Sequence, residues 1–199
     1  VPNPTDSVIE YIPADYLGAL PIDVLFPRIA PLEVDVGCGE GSFLVEMARR
    51  FPDRNFLGIE RLLGRIRKTT RRTNYLHLKN VRLLRLESAY AVRYLLPPAS
   101  VSVFHVMFPD PWPKRKHHRR RLVNDSFLDA IHAALDPAGE LRLTTDDPDY
   151  FTWMKRFCLP RKDFTARIPE EDPDYPQTDF EKGFRAQGLP IYRLYLRKI

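Results

Sequence analysis

Short apolar runs alternate along the chain with segments whose apolar positions return at helical spacing, the rhythm of strands and helices in a mostly parallel sheet. The pattern predicts strands over 33–36, 55–60, 81–86, 101–107 and 139–145. Helices are predicted over 42–50, 62–75, 89–95, 122–135 and 148–157. In the second of these classes, Phe43, Leu44, Met47 and Ala48 share one helical face. Val101, Val103, Phe104, Val106, Met107 and Phe108 read instead as a buried strand. Residues 169–190 break the rhythm with prolines, glycines and charges, which predicts a long loop of the kind that usually carries function. Ile191 to Leu196 then alternate as a closing strand. Ahead of the first strand, Pro2, Pro4, Pro13, Pro21, Pro27 and Pro31 mark a Pro-rich N-terminal arm over 1–30, leaving 31–199 as the main domain.

Composition narrows the class of protein. At 199 residues the chain suffices for one α/β domain with a real core. Its net charge of +5 is unevenly spread: nine Lys or Arg and no Asp or Glu lie between Arg61 and Arg85, whereas the first 48 residues hold one cation, Arg28. Such clustering is an electrostatic footprint for phosphate. Nucleic acid is favoured over lipid, because no long apolar segment or lipidation signal accompanies it. Only two cysteines occur, Cys38 and Cys158, so neither a disulfide framework nor a zinc site is expected, and the compartment reads as reducing. His117 and His118 sit in a cationic run, which argues for phosphate contact or solvation over metal ligation. With no secretory or organellar signal visible, the cytoplasm is the expected location.

Two motifs carry chemistry. The first is Leu32-Glu33-Val34-Asp35-Val36-Gly37-Cys38-Gly39-Glu40-Gly41-Ser42, a strand entering a glycine-rich turn that opens a helix. Glycines such as Gly37 and Gly39 let backbone approach a ligand closely. Some twenty residues on, Glu60 ends a second strand, placed to accept hydrogen bonds from two ribose hydroxyls, so an adenosine is implied. A dinucleotide fingerprint wants a third glycine where Ser42 stands. Asp35, inside the first strand, would repel a pyrophosphate but attract the sulfonium and ammonium of S-adenosylmethionine. The cofactor is therefore read as cationic.

The second motif is Phe108-Pro109-Asp110-Pro111-Trp112-Pro113-Lys114, followed by Arg115-Lys116-His117-His118-Arg119-Arg120-Arg121. The prolines flanking Asp110 prevent an ordinary strand or helix, so the carboxylate stands out where a strand ends. The ends of parallel strands are where open α/β sheets bind ligands. Trp112 either stacks on a base or packs as a structural wedge, and Lys114 with the Arg119 to Arg121 run is read as meeting phosphates.

Taken together, the glycine turn, Phe-Pro-Asp-Pro-Trp with Lys114, Thr144-Thr145-Asp146, and Thr178-Asp179-Phe180-Glu181 with Gly183 and Arg185 resemble the bacterial tRNA (guanine-N7)-methyltransferase family from about Pro31 onward. The resemblance implies an α/β, Rossmann-like class I methyltransferase fold: a mostly parallel seven-stranded sheet with helices on both faces and an antiparallel closing strand. It implies S-adenosyl-L-methionine as cofactor, tRNA as partner, and methylation of N7 of the variable-loop guanosine, conventional position 46. It also implies no metal, no membrane and no obligatory protein partner. Carried over by position, Asp35, Glu60, Glu87 and Ser88 fall at the cofactor, Asp110 is both catalytic and at the cofactor, and Lys114, Asp146, Thr178, Asp179, Phe180 and Glu181 fall at the substrate. Asp179 departs from the family, where Lys or Arg is usual, and Glu87-Ser88 stands where Asp-Ala is common. The family's basic N-terminal extension is not seen. The rival readings are an exocyclic-amine methyltransferase, a nonenzymatic tRNA-binding module with a vestigial cofactor pocket, and a dinucleotide oxidoreductase.

Overall fold

The computed structural model of the chain describes residues 9–171 and 175–199. Among these residues one sheet is formed by β1 (Glu10–Tyr11), β2 (Leu32–Val36), β3 (Asn55–Ile59), β4 (Val81–Leu84), β5 (Val101–Met107), β6 (Leu135–Thr145), β7 (Phe164–Arg167) and β8 (Tyr192–Lys198). Their spatial order is β1-β4-β3-β2-β5-β6-β8-β7. Pairing is parallel from β1 through β6, and β8 runs antiparallel to both its neighbours. The helices are α1 (Ile22–Leu25), α2 (Ser42–Arg50), α3 (Leu63–Tyr75), α4 (Ser88–Tyr90), α5 (Asp125–Ala134), α6 (Pro148–Cys158) and α7 (Asp179–Ala186). A π-helical turn over Ala91–Leu95 continues α4, and Arg115–Arg120 form a 3₁₀ helix.

Helices cover both faces of the sheet. On one, Val34, Val36, Phe104, Val106, Leu141 and Leu143 meet the apolar sides of α5 and α6 in the larger core. On the other, Phe56 and Leu83 meet Phe43, Leu44 and Met47 of α2 and Ile66 of α3. Central strands β2, β3 and β4 are buried at every position, as parallel strands between two helical layers must be. Gly58 is needed in β3 because a Cβ there would lie 2.6 Å from the Leu44 side chain and 2.8 Å from the Cys38 sulfur. Asn124 caps α5 by accepting from the Phe127 N–H (3.0 Å), and Asp147 caps α6 by accepting from Tyr150 (2.7 Å), with Pro148 in the first turn.

Three expectations change. The sheet has eight strands, not seven. Its added edge is Glu10–Tyr11, a two-residue strand set beside β4 because Ile9 buries its side chain against the α2 layer while its carbonyl accepts from Leu83 (2.7 Å). Residues 9–30 thus pack onto the sheet, with Leu20, Leu25 and Phe26 in the larger core, while Pro2 and Pro4 of the N-terminal arm lie outside the described residues. Strand β6 begins at Leu135 rather than 139, through a bulge where Val101 pairs Leu135 but Val103 pairs Glu140.

The predicted loop over 169–190 contains α7, and its residues 172–174 lie outside the described residues. Thr178 caps the helix, its hydroxyl accepting from the Glu181 N–H (2.9 Å). Glu181, 3% exposed, then accepts from Arg193 of β8 (2.5 Å) and Arg185 (2.9 Å). This buried pairing, rather than helix propensity, holds an eight-residue helix with a glycine inside it. Glu181→Ala leaves Arg193 buried without its main counter-charge and should cost about 3–5 kcal/mol, read as a fall in Tm, since breaking a buried pair is far costlier than losing a surface one.

Candidate active site

The carboxyl ends of β2, β3, β4, β5 and β6 line one edge of the sheet, and the chain leaves β2 for one side and β5 for the other. That reversal in strand order is where an open α/β sheet leaves a crevice for a ligand. The glycine turn lies at its centre. Gly37, Gly39 and Gly41 adopt left-handed φ values of 80°, 58° and 72°, and the Gly37 and Cys38 N–H groups donate to the Ile59 carbonyl at 2.8 and 3.0 Å. A Cβ on Gly41 would lie 2.2 Å from the Thr69 side chain of α3, whereas one on Gly37 or Gly39 would meet nothing within 4 Å. Gly41 therefore serves packing, and Gly37 and Gly39 face open space that a ligand can fill.

Beside this turn, β2 holds Asp35 at 4% exposure. Burial, reinforced by the nearby charge of Glu60, pushes its carboxyl up to about 7. The Cys38 thiol is likewise pushed up, first by burial and then by these two carboxylates. Two buried acids held close together suit a cationic ligand, which would supply the missing counter-charge. Glu60 accepts from the Leu62 N–H (2.8 Å) and faces Arg65 (3.4 Å), which fixes its carboxylate at the end of β3. Glu87 caps α4, its two oxygens accepting from Ala89 (3.0 Å) and Tyr90 (2.7 Å), with Ser88 as the first residue of that helix.

Across the crevice, β5 runs into the Pro-rich loop, and Asp110 is exposed at its tip. Phe108 (φ 53°) and Trp112 (φ 46°) are left-handed on either side of it. Such conformations cost about 1–3 kcal/mol each in a non-glycine residue and persist only where the surroundings enforce them. Two supports do so. The Phe108 ring packs against Phe184 (5.4 Å) and Phe180 (6.4 Å) of α7. Arg121, 2% exposed, donates to the Pro111 carbonyl (2.8 Å), pairs with Asp149, and lies between the Tyr150 and Trp153 rings at 5.0 Å from each.

Arg121 is thus corrected from a phosphate contact to a clamp beneath the loop, since a guanidinium enclosed by two rings and a carboxylate has no face left for RNA. Arg119 and Arg120 remain exposed, with Arg120 over the Trp112 ring (4.9 Å) and His117 at its edge (5.8 Å). Lys114 is exposed at the start of the 3₁₀ helix, and Asp146 is half-buried just after β6. In the 178–181 run the structure separates two pairs. Thr178 and Glu181 are buried and engaged in docking α7, whereas Asp179 is exposed beside Lys182 (3.7 Å) and Phe180 is 56% exposed.

Sequence reasoning missed a polar group beneath the site. Glu33 of β2, 1% exposed, accepts from Arg54 (2.6 Å) and bonds His105 of β5 (2.7 Å), which lies against Phe43 and Tyr175. His105, Phe43, Tyr175, Met107 and Arg142 bound a cavity of about 150 Å³ under residues 175–177. The signal was present: a Glu and a His inside largely apolar strands require partners.

The crossing point, the glycine turn and the acid pair together define a class I S-adenosylmethionine-dependent methyltransferase fold, with a central mixed sheet and flanking helices. Solved structures share it: TrmN from Thermus thermophilus superposes with a TM-score of 0.61 at 20% identity, covering 87% of this chain and 45% of that one. A putative methyltransferase from Streptococcus mutans in complex with SAH gives 0.56 at 14% identity, covering 85% and 89%. A family model described as a putative methyltransferase matches residues 29–194. The tRNA (guanine-N(7)-)-methyltransferase of Halorhodospira halophila is 37% identical over 90% of this chain and 80% of its own length, and that of Rubrobacter xylanophilus is 35% identical over 94% and 85%. The chain belongs to the tRNA (guanine-N7-)-methyltransferase family.

The raised carboxyl of Asp35 sets a pH signature. Only the ionised form attracts a cation, so S-adenosylmethionine should bind about tenfold more weakly at pH 6 than at pH 8, with Asp35→Asn weakening binding and flattening that profile in titration calorimetry. For the stability of the free chain the expected trend is the opposite. A folded-state pKa raised above 3.8 means stability is lost as pH rises from about 4 through about 7, so Asp35→Asn should raise Tm at pH 8 and leave it unchanged near pH 4.

Proposed function

We propose that the chain transfers the methyl group of S-adenosylmethionine to N7 of the variable-loop guanosine, conventional position 46, of tRNA, in the cytoplasm. Asp110 carries this reading: an exposed carboxylate on a strained and doubly supported loop follows the carboxyl end of β5, the strand beside β2, which holds the buried Asp35. The relatives' shared activity supplies the substrate class. Among the described residues no helix is long and apolar enough to cross a membrane, and no group of three or more His, Cys, Asp or Glu is placed to hold a metal ion.

S-adenosylmethionine would rest on Gly37 and Gly39, with Asp35 and Glu60 answering its charge and its ribose, and Ser88 and Asp110 at its flanks. Bound there it supplies an electrophilic methyl group on a sulfonium. Guanine N7 bears an in-plane lone pair and no proton, so the reaction needs alignment rather than a base. Asp110 accepts from the guanine N1 and N2 hydrogens, which fixes the ring, and its charge favours the positive charge that develops on the base. Glu87 acts by capping α4 and so shapes the adenine side. At the substrate, exposed Lys114, Arg119 and Arg120 meet phosphates, Asp146 lines the crevice, and Asp179 and Phe180 reach the RNA from a helix that Thr178 and Glu181 hold in place. Since N7 lies in the narrow, deep major groove of A-form RNA, the guanosine must be exposed or unstacked to react.

Unmodified tRNA incubated with the chain and methyl-labelled S-adenosylmethionine should yield N7-methylguanosine at one variable-loop site by mass spectrometry of mapped fragments. Label on an exocyclic amine would overturn the reading in favour of the rival enzyme, and tRNA binding with no transfer would favour a binding module. Asp110→Ala should lower kcat by at least about a hundredfold, as removal of a charge-stabilising group does, while the Kd for tRNA stays within about twofold.

A further inference from the structure

Helix α3 carries a face that the catalytic site does not use. Its sequence, Leu63 to Tyr75, contains no acid. The side chains of Arg67, Arg71 and Arg72 are exposed and make no ion pair or hydrogen bond among the described residues. Some surface guanidinium groups elsewhere are paired, as where Arg49 and Arg50 both close on Glu46 (2.8 Å) and Arg167 meets Glu140 (3.1 Å), whereas Arg119 and Arg156, like the three on α3, carry no ion pair among the described residues. A solvated face has no need of this arrangement, because like charges one helical turn apart, as at Arg67 and Arg71, oppose helix formation. A favourable helix dipole accounts only for Arg72 in the last turn.

An aromatic ring completes the face. Tyr75, the last residue of α3, is 82% exposed, and it borders a groove of about 350 Å³ between α2 and α3 lined by the apolar Val45 and Leu76, by Arg72, and by Glu46 in its ion pair with Arg49 (2.8 Å). Guanidinium groups along one side of an exposed ring and apolar side chains beside it are what an RNA strand with an unstacked base requires. The position also suits a substrate already held at the crevice. Thr69 packs against the glycine turn at Gly41, so the first half of α3 stands at the rim of the catalytic edge, and the face runs about 12 Å from Arg67 to Tyr75 away from it.

We propose that this face of α3 is a second RNA-binding surface, where Arg67, Arg71 and Arg72 hold the phosphate backbone of the same tRNA and Tyr75 stacks on one of its unpaired bases. The proposal rests on tRNA being the substrate. It adds a point of attachment away from the methylated guanosine, so its loss weakens binding and leaves the chemical step intact.

The test replaces Arg67, Arg71 and Arg72 together by Ala, and separately makes Tyr75→Ala and Tyr75→Phe, with unchanged Tm confirming the fold of each. The triple variant should lower the slope of log affinity against log salt by about two to three, and raise KM for tRNA on the order of tenfold with kcat within about twofold. Tyr75→Ala should weaken tRNA binding by about tenfold, with Tyr75→Phe restoring it, because stacking needs the ring and not the hydroxyl. A wild-type chain that binds and methylates tRNA, with variants that match it in slope and KM, overturns the proposal alone. A wild-type chain that binds no tRNA overturns the substrate reading as well. Wild-type binding to phosphatidylserine vesicles, lost in the triple variant while tRNA affinity is unchanged, reassigns the face to a lipid surface and overturns the proposal too.

Discussion

Strand β2 places two carboxylates in the middle of a sheet covered on both faces, and the chain treats them in opposite ways. Glu33 receives Arg54 and His105, so its charge is answered from within and its carboxyl is held below the usual range, the two partners outweighing burial. Asp35, two residues on and facing the same side, has Glu60 as its charged neighbour, and burial raises it to about 7. A fold under no functional demand would compensate both or bury neither. The glycine turn and the crossing of the chain between β2 and β5 lie at the end of the strand that carries this acid, so a cation bound there would supply the counter-charge that the chain does not.

Legibility in the sequence followed the range of the forces involved. Helix 42–50 and strands 33–36 and 101–107 were readable because their apolar spacing is local, and the structure places them at Ser42–Arg50, Leu32–Val36 and Val101–Met107. Helix α7 reads as loop in the sequence because Gly183 and the surrounding prolines weaken every local signal, while its stabilisation comes from Arg193 on a strand later in the chain. The Thr178 and Glu181 pair, with the spacing of a capping box, was the one local clue. Here Glu181 does not return to the cap but turns inward to β8.

The basic run after Trp112 shows the same limit in electrostatics. Sequence assigns one role to Arg119, Arg120 and Arg121, since charge is all it reveals. Tertiary structure divides them: Arg119 and Arg120 stay in solvent, and Arg121 turns under the loop between Tyr150 and Trp153, residues far along the chain from it. The candidate site was therefore legible as a list of residues with local motifs, and the supports that hold it were not, because each support is a contact between distant segments.

The dependence of the Pro-rich loop on α7 and β8 has a consequence for the order of synthesis. Phe108 leans on Phe180 and Phe184, and α7 is fastened to β8 through Arg193, so a loop written near the middle of the chain takes its shape from residues translated much later. A nascent chain that has emerged only as far as β6 already contains the cofactor turn and Asp110, yet lacks the rings that hold Phe108 left-handed. Cofactor binding would then precede competence for transfer during synthesis, and an incomplete chain would be kept from modifying RNA while still on the ribosome.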